Sequence, residues 1–120
     1  MTETPPGPRY DLEDRTYQFA KDVRAFVKKL PRTICNQEDG RQLVRASGSV
    51  GANYIEANEA LSRKDFRMRI KICRKECKES RYWLRLLDTP AGPLDTQRNR
   101  LIQESDELMR IFAAILRKSE

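Results

Sequence analysis

Apolar residues recur at steps of three and four positions in four segments of the chain. This spacing aligns them along one face of a helix, so we predict helices over residues 11–30, 40–60, 63–87 and 95–118. Short connections between such segments join antiparallel neighbours. The sequence therefore predicts an all-α fold, an antiparallel up-and-down four-helix bundle over residues 11–118.

Local signals mark the ends of these helices. Pro31 ends the first helix because proline cannot continue the backbone hydrogen-bond ladder, and residues 33–40 are expected to form a polar connection. Ser62 begins the third helix, with Asp65 three residues later as in a capping box. Two prolines and a glycine in residues 88–94 predict the turn before the fourth helix.

The Pro-rich residues 1–10 are expected to form a disordered or extended N-terminal arm. They contain no basic region followed by an apolar region, and no apolar run approaches the roughly 20 residues that span a bilayer. The three cysteines are expected to be reduced thiols, as in cytosolic proteins. The sequence therefore predicts a cytoplasmic location and no membrane association.

The second helix combines an apolar stripe with several small residues. The stripe is expected to contain Leu43, Ala46, Val50, Tyr54, Ala57 and Leu61. Gly48 and Gly51 lie in the same helix, where each glycine costs about 1 kcal/mol relative to alanine. Small side chains let another backbone approach, so we predict tight packing around residues 45–60.

Polar residues form a second face on this helix. Glu76 and Glu79 of the third helix border an apolar seam, where a carboxylate without a partner is costly to bury. Arg45 is their expected partner, with Ser49 and Asn53 as further donors. We predict a structural polar network that fixes helix register or a subunit interface, formed by Arg45, Ser49, Asn53, Glu56, Glu76 and Glu79.

Positive charge is concentrated in the third helix. Residues 63–87 contain ten Lys or Arg residues and three acidic residues, a balance of +7 against +6 for the whole chain. At about 100° per residue, eight of the ten fall within about a third of the helix circumference. We call this set the basic ridge: Lys64, Arg67, Lys71, Arg74, Lys75, Lys78, Arg81 and Arg85.

Two interpretations of the basic ridge are open at this point. It is either the solvated outer face of a bundle helix or a surface that contacts the phosphates of RNA or DNA. The near absence of acidic residues on it favours the second interpretation. Few aromatic residues interleave with the cations, so the pattern indicates salt-sensitive backbone contacts and not base stacking.

The chain has no histidine, which removes most general acid–base, Ser-His and Cys-His chemistry. Cys73 and Cys77 lie four residues apart, but a zinc site would need further Cys or His ligands nearby. The di-iron sites of four-helix bundles use Glu-x-x-His pairs. We therefore expect no enzyme activity, no metal site and no cofactor.

Several of these positions also resemble a known family, the four-helix bundles encoded in intervening sequences of 23S ribosomal RNA. The family pattern is close to R-[SA]-x-x-S-[IV]-x-x-N-[IV]-x-E-[GA], and the similarity extends from about Tyr10 to Leu116. Tyr54 replaces the usual Ile or Val, and Ala57-Asn58 replaces the usual glycine after the glutamate. The matching residues are Arg45-Ala46-Ser47, Ser49-Val50, Asn53 and Glu56-Ala57, followed by a helix with Phe66 and Glu76.

The resemblance implies a bundle that assembles as a homopentameric ring. The accessory proteins of diversity-generating retroelements share this architecture, and there the basic pentamer binds a reverse transcriptase and nucleic acid. RNA binding is presumed for the family in general, and no catalytic residues exist to carry over. The number of subunits rests on the resemblance alone.

The sequence therefore favours a non-enzymatic, oligomeric four-helix bundle that binds the backbone of RNA or DNA through the basic ridge. The alternative is a protein-interaction scaffold or accessory subunit whose ridge docks an acidic protein partner. Oligomerisation has its own support, because a single bundle is expected to leave apolar area around Tyr54, Trp83 and Phe112 underused, and such patches are usually interfaces.

Overall fold

Four helices account for most of the chain: α1 (Leu12–Val27), α2 (Ile34–Asn58), α3 (Arg63–Leu86) and α4 (Pro93–Lys118). No β-strand occurs in the part of the chain that the structure describes. None of these helices is long and apolar enough to cross a membrane. The expected all-α fold with four helices is confirmed.

The structure is a computed structural model, and it describes residues 11–120. The N-terminal arm expected at residues 1–10 lies outside the described residues. Within residues 11–120, the order of the helices along the chain is also their order around the bundle, because each helix packs against the next.

Consecutive helices run antiparallel. Asn36 at the start of α2 hydrogen-bonds Asp88 just beyond the end of α3, whereas Asn53 near the end of α2 accepts a hydrogen bond from Arg69 near the start of α3. The α2–α3 contact is the most extensive and the α1–α4 contact the smallest. Arg15 links α1 to α4 through Glu104, at 2.8 Å.

The apolar stripes meet in one core. The largest side chains that are almost completely buried include Phe19, Phe26, Leu43, Ile70, Leu84, Leu108 and Phe112. Phe112 is fully buried, and its ring centroid lies 6.0 Å from that of Tyr54 in the same chain. Trp83 also packs against this core. The aromatic residues that were expected to leave apolar area underused are therefore largely accommodated within one bundle.

The start of α2 differs from the sequence-based expectation. Residues 34–39 are helical and not a polar connection, because Thr33 caps the helix by accepting a hydrogen bond from the Asn36 backbone N–H at 3.0 Å. The segment has no apolar stripe to reveal this. Asn36 is itself buried and holds the first turn in place through hydrogen bonds to other segments.

The ends of the other connections follow from local chemistry. Ser62 caps α3 by accepting a hydrogen bond from the Asp65 N–H at 3.0 Å. The α3–α4 turn ends at Gly92, whose φ of 118° suits glycine, and Pro93 then opens α4. Leu61 was expected on the apolar stripe of the second helix, but α2 ends at Asn58 and Leu61 is 98% exposed in the following turn.

The small residues of α2 allow a close approach to α1. A Cβ atom built on Gly51 would lie 3.0 Å from the Thr16 Oγ1 atom and 3.4 Å from its Cβ. Such distances are shorter than ordinary van der Waals contact, so a methyl group fits at this position only if Thr16 shifts by a few tenths of an ångström. The tight packing expected around residues 45–60 is present here.

Candidate nucleic-acid interface

The outward face of α3 carries most of the basic ridge. Six ridge side chains are exposed to solvent, and they repeat at helical spacing from the first turn of α3 to the last. Within residues 11–120 none of the six forms an ion pair. We call them the exposed ridge cations: Lys64, Lys71, Arg74, Lys75, Lys78 and Arg85.

The other two ridge residues turn towards α4. Arg67 Nη1 donates to the Leu116 carbonyl and to Ser119 Oγ, both at 2.6 Å, where the last carbonyls of α4 lack partners within the helix. Arg81 Nε lies 2.9 Å from Asp106 Oδ1. Both side chains are only partly exposed. They tie α3 to α4 and are less available to a ligand than the other six.

The exposed face also carries two residues that the sequence analysis left out of the ridge. Met68 is 52% exposed and lies one turn from Lys64 and Lys71, and Tyr82 is 56% exposed and lies one turn from Lys78. The prediction that few aromatic residues interleave with the cations overlooked Tyr82. At about 100° per residue, Tyr82 falls inside the positive arc, about 20° from Lys75, so its position in the sequence was the available signal.

Arg45 lies at the α2–α3 seam, close to both glutamates, as expected. Its Nη2 donates to Glu79 Oε1 at 3.2 Å, and its Nη1 lies 3.8 Å from Glu76 Oε1. Arg45 and Glu76 therefore form an ion pair, but their separation is too long for a hydrogen bond. Arg45 is 54% exposed at its side chain, whereas that of Glu76 is only 7% exposed.

Ser49 and Asn53 form a separate cluster. Asn53 Nδ2 donates to the backbone oxygen and the hydroxyl of Ser49, each at 2.9 Å, and Asn53 Oδ1 accepts from Arg69 Nη1 at 3.0 Å. These residues were expected to donate to the glutamates, but the structure connects them to Arg69 instead. Glu56 is exposed, and its side chain has no hydrogen bond or ion pair among the described residues.

Glu76 is a buried carboxylate with incomplete partners. Burial raises its pKa, the charge of Glu79 raises it further, and Arg45 opposes the shift. Its Oε1 atom has no hydrogen-bond donor within residues 11–120, and the Trp83 Nε1 atom, also buried on α3, has no acceptor there. Both atoms belong to the flank of α3 that adjoins the seam.

The described residues offer no arrangement for metal chemistry. Between residues 11 and 120, no group of three Cys, Asp or Glu side chains is placed to hold a metal ion. Burial raises the pKa of the Cys73 thiol to about 12 and raises that of Cys77 as well. Both thiols are therefore protonated at neutral pH and are poor ligands or nucleophiles.

The sequence matches a family model over residues 10–114, and the description of that model is 23S rRNA-intervening sequence protein. The match covers most of the 120 residues. The chain belongs to this family. The resemblance carried by Arg45, Ser49, Asn53 and Glu56 is thus confirmed over nearly the whole bundle.

The fold is also similar to that of a solved family protein. A crystal structure of a protein of unknown function from the S23 ribosomal protein family of Bacteroides thetaiotaomicron superposes with a TM-score of 0.73 at 28% sequence identity. The similarity covers 88% of this chain and 98% of that one. No curated protein matches the chain significantly. Family membership therefore identifies the fold. The biochemical role has to be inferred from the geometry of the candidate interface.

Proposed function

We propose that this protein is a non-enzymatic nucleic-acid-binding bundle whose exposed ridge cations contact the phosphates of RNA or DNA. One observation carries the proposal: six exposed cations follow one face of α3 and have no ion-pair partner within residues 11–120. The two acidic residues in the middle of α3, Glu76 and Glu79, both pair with Arg45 of α2, and neither forms an ion pair with an exposed ridge cation.

The physical basis is the release of counterions. Each cation that meets a phosphate displaces a condensed counterion, so the affinity falls steeply with salt. A row of cations along one helix face can meet successive phosphates of a nucleic-acid strand, and it provides no base-specific hydrogen bonding by itself. The family description, which refers to 23S rRNA, favours RNA as the first ligand to test. The absence of histidine from the chain supports the non-enzymatic role.

Fluorescence anisotropy across a salt series tests this proposal with an RNA strand and a DNA duplex. The test variant reverses three exposed ridge cations, Lys71→Glu, Arg74→Glu and Lys78→Glu. The matched control makes the same change in charge at Lys21→Glu, Lys29→Glu and Arg32→Glu, which are exposed on α1 and the turn after it.

The test variant is expected to lose binding while the control retains most of it. The salt dependence of the wild type is expected to indicate several phosphate contacts, at a slope of about 0.7 to 0.9 per contact. Equal binding by the folded test variant and the wild type would exclude the ridge. Equal losses in both variants would show that only net charge matters.

We also infer that the protein assembles as a homopentameric ring in the cytoplasm. The family resemblance supplies the number five. The three free cysteines fit a reducing compartment. Light scattering is expected to give five times the 14.1 kDa chain mass, and a monomer would contradict the ring.

A second candidate is a scaffold that docks an acidic protein, such as a reverse transcriptase. A groove of about 620 Å³ at the start of α3 supports it, because exposed Met68 lies there between Lys64 and Lys71. An apolar floor with a basic rim suits an acidic peptide that carries an apolar anchor. A pull-down that yields one stoichiometric protein after nuclease treatment, and no such protein with Met68→Glu, would favour this role.

A further inference from the structure

Tyr82 is an exposed aromatic residue in the midst of the exposed ridge cations. Tyr82 is 56% exposed. Lys78 lies one turn before it and Arg85 one turn after it on the same helix, and both are exposed. An aromatic ring between two phosphate-binding cations is the arrangement by which proteins hold unpaired bases.

The ring of Tyr82 is held in place by its neighbour. Its centroid lies 5.1 Å from that of Trp83, and the two planes meet at 75°, an edge-to-face contact. Trp83 is partly buried and packs against the hydrophobic core. In an edge-to-face pair, one ring presents its edge to the face of the other, so Trp83 covers at most one face of Tyr82. At least one face of the Tyr82 ring therefore stays clear of Trp83.

We propose that Tyr82 is a stacking platform for one unpaired base, and that the protein prefers single-stranded nucleic acid over duplex. This inference rests on the proposed function, because the exposed ridge cations supply the phosphate contacts. It adds the class of ligand: a duplex keeps its bases stacked on one another, whereas a single strand can turn a base onto Tyr82. Stacking on Tyr82 does not distinguish RNA from DNA, since the bases of both have the same aromatic faces.

The chain offers a matched control. Tyr17 on α1 is 61% exposed, and α1 does not contact α3. Tyr82→Ala, Tyr82→Phe and Tyr17→Ala are compared by anisotropy with oligoadenylate, oligodeoxyadenylate, an abasic strand of the same length and a DNA duplex. Trp83 is the single tryptophan of the chain, so its emission reports directly on events at the neighbouring ring.

Tyr82→Ala is expected to weaken binding of both adenylate strands roughly 5- to 150-fold. The variant should bind the abasic strand and the duplex with the same affinity as the wild type. Tyr82→Phe keeps the aromatic face and is expected to bind like the wild type, as is Tyr17→Ala. Binding of adenylate strands should quench Trp83 emission, and the abasic strand should not.

The failures of the two proposals are distinguishable. Unchanged affinity of Tyr82→Ala for adenylate strands, or an equal loss for the abasic strand, overturns the stacking platform while the phosphate contacts of the ridge stand. If the wild type binds none of the four ligands at low salt, the proposed function fails and the stacking platform fails with it.

Discussion

The side-chain amide of Asn36 hydrogen-bonds both backbone groups of Asp88. Asn36 Oδ1 accepts from the Asp88 N–H at 2.9 Å, and Nδ2 donates to the Asp88 carbonyl at 3.0 Å. Nδ2 also donates to the Pro31 carbonyl at 3.2 Å. One buried side chain therefore ties the first turn of α2 to the α1–α2 connection and to the α3–α4 connection. The segment that was predicted to be a loop thus fixes two connections of the bundle.

Asn36→Ala should be strongly destabilising. It leaves three backbone groups without their partner, and an unsatisfied buried group costs about 1–3 kcal/mol, so we expect the free energy of unfolding to fall by about 2–3 kcal/mol. Urea unfolding followed by circular dichroism measures the change. Gln37→Ala, at the exposed next position, is the control and is expected to change stability by about 0.5 kcal/mol or less. Similar effects of the two variants would contradict this account.

Gly51→Ala should destabilise the α1–α2 contact, whereas Gly48→Ala should not. The new methyl group at position 51 meets Thr16 Oγ1 at 3.0 Å, and overpacking of this kind costs about 1–3 kcal/mol. At Gly48 the nearest atom is the mobile end of Arg24, at 3.3 Å, so the gain in helix propensity of up to about 1 kcal/mol should prevail.

A second substitution makes this expectation sharper. Thr16→Ala removes the hydroxyl that faces Gly51, so adding it to Gly51→Ala should recover part of the lost stability. Thermal unfolding of the two single variants and the double variant measures the coupling. Additive effects would show that the contact with Thr16 is not what excludes the methyl group.

Much of the fold could be predicted from sequence because apolar side chains repeat at helical spacing. Phe19, Ile70 and Leu108 lie in the core as their positions in the stripes require. The start of α2 could not be predicted in this way. Its helical turn depends on Thr33 and Asn36, and the partner of Asn36 is a backbone segment 52 residues away. A stripe of apolar residues carries no information about such a contact.

The candidate site was predictable in charge but not in detail. Spacing alone placed eight cations on one arc of α3, yet it could not show that α4 takes up Arg67 and Arg81, because their partners are set by tertiary packing. The same limit applies to Asn53, which pairs with Arg69 and not with the glutamates. Sequence periodicity gives the direction of a side chain and not its partner.

Substitutions of Arg67 and Lys71 should affect different properties: the first the stability of the fold, the second the binding of nucleic acid. Arg67→Gln removes charge-assisted hydrogen bonds to the end of α4, worth about 1.5–3 kcal/mol in stability, and should leave the salt dependence of nucleic-acid binding unchanged. Lys71→Gln should change stability by about 0.5 kcal/mol or less and lower the salt slope by about 1. A lower slope for Arg67→Gln would show that this residue also reaches phosphate.

The three cysteines should react in two classes. Cys35 is exposed, whereas Cys73 and Cys77 are fully buried. Burial raises the pKa of Cys73 to about 12, so little reactive thiolate exists at neutral pH. A disulfide reagent such as Ellman's is expected to titrate Cys35 rapidly in the native protein and all three thiols in denaturant. Cys35→Ser should abolish the rapid phase. Rapid reaction of a second thiol in the native state would contradict the burial of Cys73 and Cys77.

Deprotonation of the buried Glu76 carboxyl should lower the free energy of unfolding as the pH rises. Burial raises the pKa of this carboxyl above its ordinary value of 4.5, so the folded state holds the proton more tightly than the unfolded state. The resulting contribution to stability is complete below pH 4.5, and it is lost as the pH rises through the pKa of the folded protein. Deprotonated Glu76 then retains Arg45 at 3.8 Å as a partial counter-charge.

Glu76→Gln tests this relationship because glutamine keeps the shape of the side chain and removes its titration. The stability of the variant relative to wild type, from urea unfolding, is expected to increase as the pH rises from below 4.5 through the pKa of folded Glu76, and then to level off. Glu56→Gln removes the same charge at an exposed position with no described partner and gives the baseline for loss of a carboxylate. A Glu76→Gln profile parallel to that of Glu56→Gln would mean that the Glu76 carboxylate finds its missing donor, and the flank of α3 would then be examined for contacts between subunits.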